Sequence, residues 1–208
     1  MGRLSAANYL WRKIFPRLPR SSRIVLHLGC GANYIDRAGY INVDGNIFRK
    51  KDLWLDITLG LPFPRESIDV VFASHLLEHL NEKEVRRLLN ESYRVLKPGG
   101  AVRFVTPHLG KAIEAYVTGK GGFFTDWPDH RKSIGGKFNN HLLCRDQHSL
   151  MFDFGFINEL LIASGFSNCR ELGPLESELF TQSELNEIQW EDAGNHRSLF
   201  VEAVKIGK

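Results

Sequence analysis

The chain has 208 residues, 43% hydrophobic and 25% charged, with 27 Lys and Arg, 24 Asp and Glu and a formal net charge of +3. This is enough chain for one core of ordinary globular composition, and no run approaches the roughly 18 apolar residues that a membrane-spanning helix needs. Cys30, Cys144 and Cys169 are too few and too scattered for a disulfide framework and include no C-x-x-C pair, which suits a reducing cytoplasm.

In chain order, a basic arm comes first. Residues 1–23 carry Arg3, Arg12, Lys13, Arg17, Arg20 and Arg23 and no acid, so the arm is +6 and the rest of the chain −3. An acidic body argues against a nucleic-acid surface spread over the whole domain. Leu4, Tyr9, Leu10, Trp11, Ile14 and Phe15 are interleaved with the cations, while Asn8, Arg12 and Lys13 interrupt any signal-peptide core. Two readings stand. The arm is either a helix packed by its aromatics with a solvated basic face, or an amphipathic segment in peripheral contact with an anionic membrane or a phosphate-bearing partner.

From residue 24 to 208 the pattern is that of a single domain. Short apolar runs at 23–28 (RIVLHL), 40–44 (YINVD), 68–74 (IDVVFAS), 101–106 (AVRFVT) and 198–206 (SLFVEAVKI) read as strands of a largely parallel sheet. In 81–97, Val85, Leu88, Leu89, Ser92 and Leu96 share one helix face; Asn81 with Glu84 forms a capping signature, and KPGG at 97–100 stops the helix. A second helix is expected over 156–166, ending at Gly165. Only residues 29–39 separate the first two strands, so the first crossover helix has room for a turn or two. The alternation predicts a doubly wound α/β fold.

Ligand chemistry gathers at the strand ends. Gly29 and Gly31, with Cys30 between them, follow the first strand, where a ligand's approach needs backbone without a Cβ. Position 34 is Tyr34, so the third glycine of a nicotinamide fingerprint is missing. Asp44 ends the second strand, where a carboxylate can accept ribose hydroxyls. Asp56 lies between Leu55 and Ile57, apolar neighbours able to flank an adenine whose amino group the carboxylate receives; a turn or cap role competes for each aspartate. Ser74 closes the 68–74 run.

The segments VLHLGCG, INVD, DITLGLPFPRESIDVVFASHLLEHL, RVLKPGG and LLIASGF together resemble the successive motifs of class I S-adenosylmethionine-dependent methyltransferases. The resemblance implies a Rossmann-like sheet of seven strands with the last antiparallel, and S-adenosylmethionine as cofactor. It also implies that Gly29 and Gly31 line its methionine and ribose portion, Asp44 its ribose hydroxyls and Asp56 its adenine. The family's usual acidic residue two places before the first glycine is His27 here.

His75, Glu78 and His79 match H-x-x-E-H, a zinc-hydrolase spacing. Their place directly after a strand favours instead a loop that walls the methyl-transfer site. The alternative is a metal site, since some O-methyltransferases carry a metal-binding E-x-x-E-H at this place, with a later histidine to complete it. The acceptor pocket is expected from an insert around 110–148, read as a lid or binding loop. His108 is the first candidate for general base, followed by His148 and His75, each with a plain loop role as its alternative. His141, Cys144 and His148 stand at metal-like spacing without an evident fourth partner. After the fourth strand the chain reads SHLL in place of the motif of amino-methylating nucleic-acid enzymes, which together with the acidic body argues against a DNA base as the substrate.

The expected function is O-methylation of a small molecule, a saccharide or a lipid-linked glycan precursor by a cytoplasmic enzyme, with peripheral membrane contact through residues 1–23 as an option. A non-catalytic cofactor-binding scaffold that docks through its basic arm is the alternative, and a nicotinamide-dependent enzyme the remote third.

Overall fold

Val25, Leu26 and Leu28 are withdrawn from solvent because the strand they form, β1 (Val25–Leu28), lies inside the sheet with neighbours on both edges. In the computed structural model, which describes residues 18–188 and 197–207, seven strands stand in the order β3-β2-β1-β4-β5-β7-β6. β2 (Tyr40–Asp44) and β4 (Ile68–Ser74) pair parallel with β1; β3 (Leu53–Trp54) and β5 (Leu96–Pro107) extend the parallel part. β7 (Ser198–Val204) runs antiparallel between β5 and β6 (Ser167–Leu172). This is the mostly parallel, Rossmann-like seven-stranded sheet that the sequence led us to expect.

Helices cover both faces. On one, α1 (Glu82–Val95) buries Val85, Leu88, Leu89 and Ser92 of the expected face together with Val95, while Leu96 and the KPGG expected to stop the helix belong to β5. Its start is fixed by the full capping box, in which the Asn81 side chain accepts from the Glu84 amide and Glu84 from the Asn81 amide. Beside it α4 (Phe154–Ala163) packs Ile157, Leu160 and Leu161 into the main core, and Gly165 at φ 96° turns the chain into β6. On the other face Phe72, Val105 and Phe200 meet Ile35, Phe180, Leu185 and Ile188, the last two from α5 (Gln182–Ile188). Each fully buried leucine or phenylalanine of these layers is worth about 1.5–3 kcal/mol relative to exposure.

Three expectations change. The first crossover holds no helix: residues 29–39 form turns and extended chain, clamped where Asn42 accepts from the Ile35 amide and donates to the Ile35 carbonyl. A side chain in β2 thereby supplies the hydrogen bonds that a helical turn would have made. The 110–148 insert, expected as a lid or binding loop, is partly helical. It overlaps α2 (Leu109–Val117) and contains α3 (Ile134–Leu143), which share a small core of Ala112, Ala115, Phe124, Ile134 and Phe138. β3 and β6 lie outside the expected strands, because β3 is two residues long and β6 is largely exposed and reads SNCREL.

Most of the basic arm lies outside the described residues; within 18–23, Leu18 packs on the main core and Arg23 ion-pairs with Glu184 at 2.9 Å. No helix among the described residues is long and apolar enough to cross a membrane.

Candidate active site

The chain leaves β1 through two left-handed glycines, Gly29 at φ 63° and Gly31 at φ 53°. A Cβ on Gly29 would come within 2.7 Å of Leu76 Cδ1, so a side chain here would have to displace Leu76 and adopt left-handed backbone. Around Gly31 there is open space: its ideal Cβ meets only the Gly29 carbonyl, at 3.9 Å. Asp44, at the end of the neighbouring β2, sits against the turn. Its Oδ2 accepts from the Gly31 amide at 2.7 Å and its Oδ1 from the Asn46 amide at 2.6 Å. Each carboxylate oxygen has a second lone pair, so these bonds orient Asp44 without exhausting it. A glycine cradle beside an oriented carboxylate, at the carboxyl edge of a parallel sheet, fits the ribose and methionine portion of S-adenosylmethionine.

The other expected cofactor residues are more mixed. Cys30 is buried, its amide donates to the Val43 carbonyl at 3.1 Å, and burial, reinforced by Asp44 and Asp52, pushes its thiol up to about 11. It acts here as a packed turn residue. Leu55 and Ile57 point into the main core, which leaves little of either to flank a ring. Asp56 is exposed and caps a single 3₁₀ turn over Ile57–Leu59, its Oδ1 accepting from the Thr58 amide at 3.0 Å and the Thr58 hydroxyl at 2.7 Å. Ser74 is half-buried at the end of β4, next to His75 at φ 50°. His27 is buried, where burial holds its imidazole down at about 4. A neutral ring at this place cannot pair with the ammonium of the methionine end as an acid would.

The carboxyl ends of β4 and β5 and the start of β7 open onto a cavity of about 440 Å³. One wall is the 3₁₀ turn over Leu77–His79 with His75, Glu78 and His79; another is the end of α3 and the loop beyond it, with His141, Cys144 and His148. Trp127 and Thr125 contribute from the insert, and Pro107 and Ser198 from the strand ends. Residues 144–146 all adopt left-handed backbone, reversing the chain so that the amides of Ser149 and Leu150 bond to the Glu78 carbonyl at 2.7 and 3.2 Å. These bonds bring the two histidine-bearing segments together.

Within the cavity His75 donates from Nδ1 to Glu78 Oε1 at 3.1 Å and accepts at Nε2 from the Ser198 hydroxyl at 3.2 Å. Burial, with the neighbouring His148 and Arg197, pushes His141 down to about 4, and burial lowers His148 also. The imidazoles of His141 and His148 are therefore neutral near pH 7. Of the expected general bases, His148 and His75 line this cavity. His108 does not: it caps α2, its Nδ1 accepting from the Lys111 amide at 3.5 Å, and its Nε2 meets Glu171 at 3.3 Å. Ser198 escaped sequence reasoning because nothing local distinguishes the first residue of a strand as a cavity wall. Phe124 is buried in the insert's own core, whereas Trp127 reaches the cavity.

Residues 48–104 match the family model described as a methyltransferase domain. A search of curated proteins finds no match. Among solved structures, a SAM-dependent methyltransferase from Archaeoglobus fulgidus aligns over 98% of this chain and 95% of its own at 16% identity, with a TM-score of 0.57. The complex between the Haloferax volcanii Trm112 methyltransferase activator and a protein assigned as a methyltransferase aligns over 95% and 90% at 17% identity, TM-score 0.54. Haemonchus contortus phosphoethanolamine N-methyltransferase 2, bound to phosphomonomethylethanolamine and S-adenosylhomocysteine, aligns over 97% of this chain and 52% of its own at 17% identity, TM-score 0.52. At such identities the likeness is one of fold. The matched segment and the shared fold bear out the resemblance to class I S-adenosylmethionine-dependent methyltransferases.

Proposed function

We propose that this S-adenosylmethionine-dependent methyltransferase methylates a hydroxyl oxygen of a small polar acceptor, such as a saccharide, held in the histidine-lined cavity. The observation that carries this reading is the position of the cavity at the carboxyl ends of β4 and β5, with β4 directly beside β1, the strand that Gly29 follows. In open α/β sheets ligands meet at this edge, where the strand order reverses. A volume of about 440 Å³ is in the range of small-molecule sites.

When bound, S-adenosylmethionine supplies an electrophilic methyl group on a sulfonium. Gly31 gives its backbone-facing side room beside the turn that Gly29 makes, Asp44 is oriented for the ribose hydroxyls, and Asp56 presents an exposed carboxylate for the adenine amino group. A hydroxyl is a weak nucleophile until it loses its proton, and of the imidazoles on the cavity wall His75, whose Nδ1 is held by the Glu78 carboxylate, is the one placed to receive it. Positioning contributes the rest, since in-line displacement depends on holding two reactants in register away from water. The +6 arm at 1–23 favours, within this class, an acceptor carried on a lipid at a membrane surface.

The test begins with calorimetric titration of S-adenosylhomocysteine into the wild-type protein and Asp44→Ala. It continues with transfer of labelled methyl from S-adenosylmethionine to a fractionated polar extract, the product being identified by mass spectrometry. Binding that Asp44→Ala weakens, followed by an O-methylated product, is the expected result. An N-methylated product overturns the oxygen assignment, and tight cofactor binding with no transfer to any fraction moves the scaffold reading to the front.

A further inference from the structure

The turn after β4 contains a carboxylate that the fold leaves incompletely satisfied. Glu78 is 1% exposed; its Oε1 is held by His75, and its Oε2 is buried with no hydrogen-bond partner among the described residues. An unpaired carboxylate oxygen in such a place is costly unless something else meets it. Two imidazoles stand close by: Glu78, His79 and His148 each offer one ligand atom, and these atoms lie within 4.8 Å of one another.

The surrounding bonds prepare these groups for a cation. His79 donates from Nδ1 to the Gln147 carbonyl at 3.0 Å, which puts its lone pair on Nε2. Among the described residues His148 Nδ1 is buried and makes no hydrogen bond. Glu78 is oriented by His75, which is itself oriented by Ser198. Outer hydrogen bonds that fix the tautomer of a histidine and the rotamer of a carboxylate are the usual support of a metal ligand.

We propose that Glu78, His79 and His148 bind a divalent ion of borderline softness, with zinc the best fit, leaving one position open to the cavity. Two nitrogens and one oxygen are a ligand set suited to zinc, and three protein ligands with a vacant fourth position is the pattern of a catalytic rather than a structural site. Tetrahedral bonds of about 2.0–2.2 Å place ligand atoms roughly 3.3–3.5 Å apart, so binding draws these side chains inward by about an ångström. His75, named by the H-x-x-E-H spacing as a ligand, has both ring nitrogens engaged and serves as the outer partner of Glu78 instead. The fourth position faces the cavity that His141 also lines, and an acceptor hydroxyl bound there would be both oriented and acidified. Ion binding itself stands apart from the methyl-transfer reading; its use on an acceptor hydroxyl rests on that reading.

The test uses the full chain, stripped with a chelator and titrated with zinc by calorimetry, with cobalt as a spectroscopic stand-in. Wild type binds one zinc, and cobalt gives the intense visible bands of a tetrahedral site. Glu78→Gln, which keeps the bond from His75, and His148→Ala each weaken zinc by about 100-fold or more. His75→Ala, loss of an outer partner, weakens it by about 10-fold, and His108→Ala leaves it unchanged. Absence of zinc binding by a protein whose circular dichroism is native overturns the proposal, as does binding that survives both Glu78→Gln and His148→Ala. S-adenosylhomocysteine is titrated into the same samples. Cofactor binding without zinc binding removes the metal site and leaves the proposed function standing.

Discussion

His27 donates from Nδ1 to Asn42 Oδ1 across 3.0 Å, and the two residues are 2% and 0% exposed. Asn42 Oδ1 also accepts from the Ile35 amide, while its Nδ2 donates to the Ile35 carbonyl and to Asp52. This pattern settles which way the amide faces, and so which nitrogen of His27 carries the proton. Position 27 is thus a neutral strut behind the glycine turn.

A pH dependence of stability follows. Burial lowers the His27 pKa from 6.5 to about 4, so between those values the unfolded chain binds the proton and the folded one does not. Stability is fully present above pH 6.5 and is lost as pH falls towards 4, by up to about 3 kcal/mol at 1.36 kcal/mol per unit. Urea midpoints of wild type should fall over this window more steeply than those of His27→Gln, which keeps a donor but does not titrate. Equal slopes would refute the assignment.

Asn42→Ala removes both bonds that clamp the first crossover and leaves His27 and the Ile35 backbone without partners. The expected loss is about 2–3 kcal/mol, and a fall in Tm of roughly 4–12 °C for a domain of this size. Calorimetric melting measures it directly; a change below a degree would mean that the crossover is held by other contacts.

Arg103 on β5 lies opposite Glu202 on β7, with its guanidinium fully buried and 2.7 Å from Glu202 Oε1. Removing one partner strands a buried charge, so Glu202→Ala should cost about 3–5 kcal/mol. The double variant Arg103→Met, Glu202→Met should recover most of it. A double variant as damaged as Glu202→Ala alone would show that the hydrogen bonds from Ser177 and the Glu178 amide to Glu202, and not the ion pair, matter most.

His108→Ala should retain methyl transfer within about twofold while losing about 1 kcal/mol of stability, the scale of a lost helix cap. A kcat reduced by orders of magnitude, with the cap loss no larger than this, would return His108 to the role of general base. His148→Ala beside it should lose transfer.

The strand ends, the glycine turn and α1 were legible in the sequence because each is decided locally. Gly29 and Gly31 adopt left-handed backbone that favours glycine, and Asn81 with Glu84 closes its capping box within one turn. Asp44 was legible for the same reason, since β2 ends where its carboxylate meets the turn. The absent first helix was not, because it depends on a side chain in β2 reaching Ile35. Nor was the place of His108 at the cap of α2, since its spacing from the fifth strand says nothing of Glu171. Above all, the histidine cavity belongs to the tertiary structure. His79 and Gln147 are 68 positions apart, and only the left-handed reversal at 144–146 and the amides bonded to the Glu78 carbonyl bring His148 to Glu78. Periodicity and turn chemistry act over a few residues, whereas the meeting of these side chains depends on how two distant segments pack over one sheet edge.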